Sequence, residues 1–81
     1  MHVFYTPQFK RALSEFDKIV ERKLAKKLRF LIANIKHPSL RAKKYNEATG
    51  LWQARVDRQI RFYFRIRGDT YVMYDIYRHE D

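Results

Sequence analysis

Cysteine is absent from this sequence of 81 residues, and glycine and proline occur only twice each. Without cysteine, the chain has neither a disulfide framework nor a thiolate metal site. Gly50 and Gly68 are too far apart to form a glycine-rich phosphate loop. No apolar run approaches the roughly 20 residues that span a bilayer, and no secretory signal pattern begins the chain. The length leaves room for a single domain, 1–81, and these absences predict that it is soluble and cytoplasmic, with no membrane association.

Acidic residues are also scarce in this chain. Nine Asp and Glu residues stand against eighteen Lys and Arg residues, which gives a formal net charge of +9. Such an excess of positive charge attracts polyanions, among them nucleic acids, ribosomes, acidic proteins and anionic membrane surfaces. We therefore expect a nucleic acid or the ribosome as the first partner to test.

The first half of the chain predicts two helices. Thr6 is a favourable N-cap, and Pro7 suits the first helical position. Asp17 is placed to cap a second helix, which His37-Pro38 should end because a residue before proline avoids the helical conformation. The apolar residues of this second helix recur at intervals of three and four, as Val20, Leu24, Leu28, Leu31 and Ile35. Its other face is mostly Lys and Arg, which is typical of a solvated surface.

Strands are predicted at the start and in the second half of the chain. The predicted strands are 2–5, 51–57, 60–67 and 70–77. Residues 39–50 are polar and are predicted to form a connection. The order β-α-α-β-β-β indicates an α+β fold, in which a short N-terminal strand and an αα-hairpin pack on a twisted, mainly antiparallel sheet.

The strand sequences alternate between apolar and polar residues, so the two faces of the sheet should differ in character. The predicted core face comprises Trp52, Ala54, Val56, Ile60, Phe62, Phe64, Ile66, Val72, Tyr74 and Ile76. The opposite face comprises Arg55, Arg61, Arg65, Tyr71, Met73, Asp75 and Tyr77. Guanidinium groups present a rigid fork of N–H donors that matches phosphate oxygens. The second face is therefore predicted to bind an RNA or DNA backbone.

The polar face carries residues that suit RNA cleavage without a metal ion. In this reaction the 2′-hydroxyl of the substrate attacks the adjacent phosphorus, and the protein supplies cations and proton transfer. Arg55 and Arg61 are the candidates for holding the phosphate, and His79 is the natural acid or base near neutral pH. The tyrosines expected to be exposed for base stacking are Tyr63, Tyr71 and Tyr77.

The same residues have structural explanations, which the sequence leaves open. Arg55 and Arg61 have acidic neighbours with which they can form salt bridges, and tyrosines on strands commonly pack against their neighbours. A histidine near the end of a chain is commonly just solvated. The run His79-Glu80-Asp81 would make a poor metal cage, so neither a metal ion nor a cofactor is predicted.

Four segments occur in an order that resembles the RelE/ParE toxin superfamily. They are Ser39-Leu-Arg-Ala-Lys-Lys-Tyr45, Gly50-Leu-Trp-Gln-Ala-Arg-Val56, Ile60-Arg-Phe-Tyr-Phe64 and the terminal Arg78-His-Glu-Asp81. The resemblance covers nearly the whole chain. It implies a RelE-like fold and the toxin of a type II toxin–antitoxin pair, which cuts mRNA in the ribosomal A site without a metal ion. It also implies an acidic antitoxin as partner, in a toxin–antitoxin hetero-oligomer.

The resemblance also implies roles for individual residues. Arg55 and Arg61 match positions that hold the phosphate, and His79 matches the histidine that transfers a proton in members resembling YafQ. The other residues expected to contact RNA are Lys43, Lys44, Gln53, Arg58, Tyr63, Arg65 and Tyr77.

Two departures from the family pattern keep other functions open. Gln53 stands where many RelE-like toxins have a second basic residue, and the sequence stops at Asp81, where relatives commonly continue to an aromatic residue. A non-catalytic domain that binds RNA or protein is therefore one alternative. The other is a ParE-like inhibitor of DNA gyrase. The combination of Arg55, Arg61 and His79 favours the ribosome-dependent mRNA endoribonuclease.

Overall fold

The computed structural model describes residues 1–79. Residues 80 and 81, which complete the C-terminal segment of the family resemblance, lie outside the described residues. Within the described range the chain forms strands, two α-helices and one short 3-10 helix. In chain order these are β1 (His2–Tyr5), α1 (Pro7–Leu13), α2 (Lys18–Ala33), the 3-10 helix (Pro38–Leu40), β2 (Lys43–Asn46), β3 (Leu51–Arg55), β4 (Ile60–Arg67) and β5 (Thr70–Arg78).

A five-stranded sheet organises the fold, with the strand order β1-β5-β4-β3-β2. β1 runs parallel to β5, and every other neighbouring pair is antiparallel. The two helices connect β1 to the second edge of the sheet and pack with its apolar side chains in one core cluster. This arrangement confirms the predicted α+β fold, with a short first strand and an αα-hairpin on a mainly antiparallel sheet.

Helix α2 begins and ends through side-chain hydrogen bonds. As predicted, Asp17 is the N-cap, and its Oδ1 accepts a main-chain N–H of the first turn at 3.1 Å. The helix ends at Ala33, so the predicted end at His37-Pro38 is wrong. Asn34 leaves the helical conformation, and its side-chain oxygen accepts the N–H of Lys36 at 2.9 Å. Such a local bond offers the backbone an alternative to another helical turn.

The segment 39–50, which was predicted to be a connection, contains the edge strand β2. All four of its residues are exposed, so burial imposes no apolar alternation that the sequence would reveal. Pairing with β3 defines the strand instead, with Lys43 opposite Gln53 and Lys44 opposite Trp52. The edge of β3 presents main-chain N–H and C=O groups, as any strand edge does, and β2 pairs with them.

An irregularity in β5 changes which of its residues face the core. Along the β4–β5 ladder the partner of Tyr63 is Asp75, but the partner of Phe64 is Met73, so Tyr74 is an extra residue. Such a bulge breaks the two-residue alternation of a strand. The predicted faces of residues 71–74 are therefore wrong. Tyr71 and Met73 are buried on the core side, whereas Val72 and Tyr74 lie on the other side.

The core lies between the helices and one face of the sheet. Its fully buried side chains are contributed by α1, α2, the 3-10 helix and the three central strands, as in Phe9, Leu31, Leu40, Phe62 and Met73. We call the opposite surface of the sheet the open face. Its residues include Phe4, Lys43, Tyr45, Gln53, Arg55, Arg61, Tyr63, Arg65, Arg67, Val72, Tyr74, Asp75 and Tyr77. No helix within residues 1–79 is long and apolar enough to cross a membrane.

Thr6 joins the first helix to the last strand. Its Oγ1 accepts the N–H of Phe9 at 3.1 Å and donates to the carbonyl of Met73 at 2.8 Å. Its main-chain N–H donates to the same carbonyl at 3.3 Å. One side chain therefore caps α1 and also fixes it against β5.

We expect Thr6→Ala to lower the free energy of unfolding by about 1–2 kcal/mol, because the helix loses its cap and the carbonyl of Met73 loses a donor. Thr6→Ser, which retains the hydroxyl, should stay close to the parent protein. Urea unfolding followed by circular dichroism measures both variants. Equal stabilities for the alanine and serine variants would contradict the capping role.

Candidate functional site

A cleft of about 530 Å³ opens on the open face of the sheet. Its described lining residues are Arg41, Lys43, Tyr45, Gln53, Arg55, Arg61 and His79. All three of the predicted catalytic residues are among them, together with two of the residues predicted to contact RNA. We call this concavity the basic cleft, because four of its described lining residues are Lys or Arg and none of them is acidic.

Strand pairing brings the three predicted catalytic residues together. Arg55 of β3 lies directly opposite Arg61 of β4, and Arg61 lies opposite Tyr77 of β5. Residues paired in this way share a face of the sheet. His79 follows Tyr77 by two residues, and its main-chain N–H donates to the carbonyl of Gln59 in the β3–β4 turn. The end of β5 is thereby tied to the turn beside the two arginines.

The half-buried guanidinium of Arg61 is positioned by the β3–β4 turn. Its Nη1 donates to the carbonyl of Asp57 at 3.0 Å and to that of Arg58 at 2.9 Å. These bonds are to main-chain oxygens, so they do not neutralise the charge of the side chain. Nε and Nη2 carry three further N–H donors, enough for a two-point contact with a phosphate.

The carboxylate of Asp57 organises the same turn. Its Oδ1 accepts the main-chain N–H groups of Gln59 and Ile60, each at 2.9 Å, and its Oδ2 accepts from Lys23 at 3.2 Å. Partial burial raises the pKa of Asp57, but these hydrogen bonds and the charge of Lys23 outweigh it and lower the pKa below its usual value. Asp57 is therefore ionised at neutral pH, and its negative charge holds the turn that positions Arg61.

Three tyrosines form an aromatic row beside the cleft. Tyr63 lies in the middle and is only 2% exposed, so the expectation that it is free to stack a base is wrong. Tyr77 stacks on it with 4.8 Å between ring centroids, and Tyr45 meets it at 5.2 Å with ring planes 69° apart. The side-chain amide of Gln53 donates to the hydroxyl of Tyr63 at 2.9 Å. Tyr71, also expected to be exposed, is buried on the core side.

The hydroxyl of Tyr77 stays protonated. Burial raises the pKa of Tyr77 well above its usual value, and the hydrogen bond and electrostatic interaction with Tyr63 raise it further. The side chain remains 41% exposed. Tyr77 therefore offers a neutral phenol at the border of the site.

The remaining residues predicted to contact RNA lie outside the cleft. Lys44 is on the core side of β2, with its Nζ 5.4 Å from the centroid of the Trp52 ring. Lys44 is thus on the side of the sheet opposite to Lys43, because alternate residues of a strand point to opposite faces, and its contact with RNA stays a prediction. Arg58 is exposed on the β3–β4 turn. Arg65 lies on the open face, where its Nε donates to the carbonyl of Thr49 at 3.1 Å.

Two residues of the cleft were not predicted from the sequence. Arg41 follows the 3-10 helix with a positive φ of 46°, and Tyr45 belongs to β2. Both lie in the segment that was predicted to be a polar connection. Residues 39–45 are one of the four segments that resemble the toxin superfamily, and this resemblance is the signal that could have identified both residues.

The sequence matches no protein-family model and no curated protein. Solved structures do share its fold. The YoeB/ParE toxin from Agrobacterium tumefaciens has a TM-score of 0.77 and 15% identity, covering 99% of this chain and 100% of that one. YafQ from E. coli strain BL21(DE3) has a TM-score of 0.71 and 17% identity, covering 94% of this chain and 90% of that one. These similarities show that the chain has the RelE-like toxin fold.

Two further structures with this fold contain a partner chain. The YoeB–YefM complex from Staphylococcus aureus is a toxin–antitoxin assembly, with a TM-score of 0.77, 13% identity and coverage of 99% of this chain and 98% of that one. The E. coli DinJ–YafQ toxin–antitoxin complex has a TM-score of 0.72 and 17% identity, covering 95% of this chain and 90% of that one.

The lowered pKa of Asp57 predicts a pH-dependent stability. The contribution of its carboxylate to the free energy of unfolding is complete above the ordinary pKa of 3.8 and is lost as the pH falls through the lower pKa of the folded state. Asp57→Asn should therefore cost on the order of 1 kcal/mol at pH 7, and the gap to the parent should close as the pH falls below 3.8. Urea unfolding of both proteins between pH 7 and pH 3 tests this, with Glu47→Gln as the control for losing one charge. A gap that stays constant throughout would contradict the role of the Asp57 carboxylate.

Proposed function

We propose that this protein is the toxin of a type II toxin–antitoxin pair and acts as a ribosome-dependent endoribonuclease on mRNA, without a metal ion. The observation that carries this proposal is the basic cleft, where Arg55, Arg61 and His79 line one concavity together with Lys43. The RelE-like fold supports the toxin role. The positive charge of the cleft supports a substrate made of phosphates.

The chemistry follows from what the cleft residues can do to an RNA phosphate. The 2′-oxygen of the ribose attacks the adjacent phosphorus, which then carries five oxygens and additional negative charge. Arg55 and Arg61 bind those oxygens, and they stabilise the transition state to the extent that it is more negative than the substrate. Arg61 reaches this state with little reorganisation, because the turn already holds its Nη1.

Proton transfer is assigned to His79. As the bond from phosphorus to the 5′-oxygen breaks, the protonated imidazole donates its proton to that oxygen. The proton of the 2′-hydroxyl is lost to solvent. The products are a 2′,3′-cyclic phosphate and a 5′-hydroxyl, so no water is consumed in the cut. Arg41 and Lys43, which line the same cleft, are assigned to neighbouring phosphates of the RNA backbone.

An acidic antitoxin is the proposed protein partner. The YoeB–YefM and DinJ–YafQ complexes with the same fold support a partner of this class. The net charge of +9 supports an acidic partner. Such a protein would compete with RNA for the positive open face and thereby keep the nuclease inactive.

The test is cleavage of a defined mRNA in a purified translation system, with and without ribosomes. His79→Ala should slow ribosome-dependent cutting by about 10²–10⁴-fold, because it removes the proton donor. Arg61→Ala should slow it by about 10²–10³-fold, because it removes a donor to the transition state. The products should be blocked at the 3′ end as cyclic phosphates.

Matched controls exist for both substitutions. Arg67 occupies the same strand and the same face as Arg61 but lies at the far end of β4, and His2 is an exposed histidine on β1. Arg67→Ala and His2→Ala should cut mRNA like the parent. An Arg61→Ala, His79→Ala double variant that cuts like the parent would refute the site. No cutting by the parent in either arm, with loss of supercoiling in a gyrase assay, would favour the ParE-like alternative.

A further inference from the structure

Tyr45 is an aromatic side chain on the wall of the basic cleft to which the cleavage chemistry assigns no role. It is 53% exposed, although exposing a large apolar surface to water is unfavourable. In the β2–β3 ladder, Lys44 pairs with Trp52 and Asn46 pairs with Leu51, so Tyr45 is the extra residue of a bulge. Bulges occur next to functional sites, where they re-aim a side chain. This one leaves the Tyr45 ring on the open face, against Tyr63.

The ring of Tyr45 is supported from below. Its neighbour Tyr63 is almost fully buried and is fixed by the amide of Gln53 and by stacking with Tyr77. Tyr45 and Tyr63 meet with ring planes 69° apart. In an edge-to-face contact of this kind, one ring covers at most one face of the other. A flat surface of Tyr45 is therefore left for a ligand, while the rest of the side chain is held in place.

The positive charges around the Tyr45 ring indicate a negatively charged ligand. Arg41 and Lys43 precede Tyr45 in the chain and line the same cleft, and Arg55 and Arg61 line it from the next two strands, β3 and β4. An aromatic platform beside a track of cations is the arrangement that binds single-stranded nucleic acid, because each nucleotide brings one flat base and one phosphate. The bases of a duplex are already stacked on one another and are not available to such a platform.

We propose that Tyr45 stacks one nucleobase of the RNA strand whose reacting phosphate lies on Arg55 and Arg61, and so selects single-stranded RNA. This inference rests on the proposed RNA substrate. It assigns base contact to the edge strand β2, whereas the chemical step belongs to β3, β4 and the end of β5. Because every base has a flat face, the contact favours unpaired RNA without demanding one sequence.

The test measures binding and not cutting. Short single-stranded RNAs with 2′-O-methyl riboses cannot undergo attack by the 2′-oxygen, and their affinity is read by fluorescence anisotropy. Tyr45→Ala should weaken binding roughly 5- to 100-fold, as is found for the loss of a stacked base. Tyr45→Trp should retain the affinity. Phe4→Ala is the matched control, since Phe4 is 55% exposed on the same face at the other edge of the sheet.

A series of RNAs with one abasic position identifies the base that is stacked. At that position the abasic RNA should bind the parent weakly, and Tyr45→Ala should cause no further loss. Tyr45→Leu keeps an apolar side chain over Tyr63, so it controls for misfolding of the alanine variant. Because leucine has no aromatic ring, Tyr45→Leu should also bind weakly. Equal affinities of the parent and both variants would overturn the inference, as would a parent that binds no RNA. RNA that binds through Tyr45 but is never cut would instead count against the nuclease alone.

Discussion

The pairing of β4 with a neighbour on each side is the constraint on which the rest of this structure depends. β4 has buried side chains on both faces of the sheet. Phe62 and Phe64 are buried on the side of the helices, and Tyr63 is buried on the open face. Its register with β3 sets Arg55 against Arg61, and its register with β5 sets the position of Tyr77. A slip of one residue in either ladder would exchange core and cleft side chains along the whole strand. Stability and the site are therefore specified by the same main-chain hydrogen bonds.

The parts of the fold that follow from local chemistry were predictable from the sequence. Asp17 caps α2, as predicted from its position just before the apolar residues that recur at helical spacing. The alternation of apolar and polar residues over 60–66 gives the correct faces of β4. The end of α2 was not predicted, because the sequence offers two termination signals. Pro38 was taken as the signal, but the helix ends earlier, where the side chain of Asn34 accepts the N–H of Lys36. The edge strand β2 was missed because exposed residues carry no burial pattern.

The site was predictable only where alternation holds. Arg55 and Arg61 lie together as the strand period requires, and the sheet brings His79 to the same cleft. The predicted faces of residues 71–74 were wrong because the bulge at Tyr74 depends on how β5 pairs with β4. The strand propensities of single residues do not reveal such a bulge. Tyr63 was misjudged for a related reason. Its burial comes from Tyr45 and Tyr77, which are distant in sequence and meet it only after the sheet has formed.

The parallel pairing of β1 with β5 has a consequence for biosynthesis. Thr6 bonds to Met73 across 67 residues of sequence, so the first strand has no neighbour in the sheet until the fifth has been made. Contacts of such long range cannot form on a nascent chain whose later part is still inside the exit tunnel. The cleft is also completed late in synthesis, since His79 is among its lining residues and follows Arg61 by 18 residues. The cleft is therefore complete only once the end of β5 and His79 have emerged from the exit tunnel.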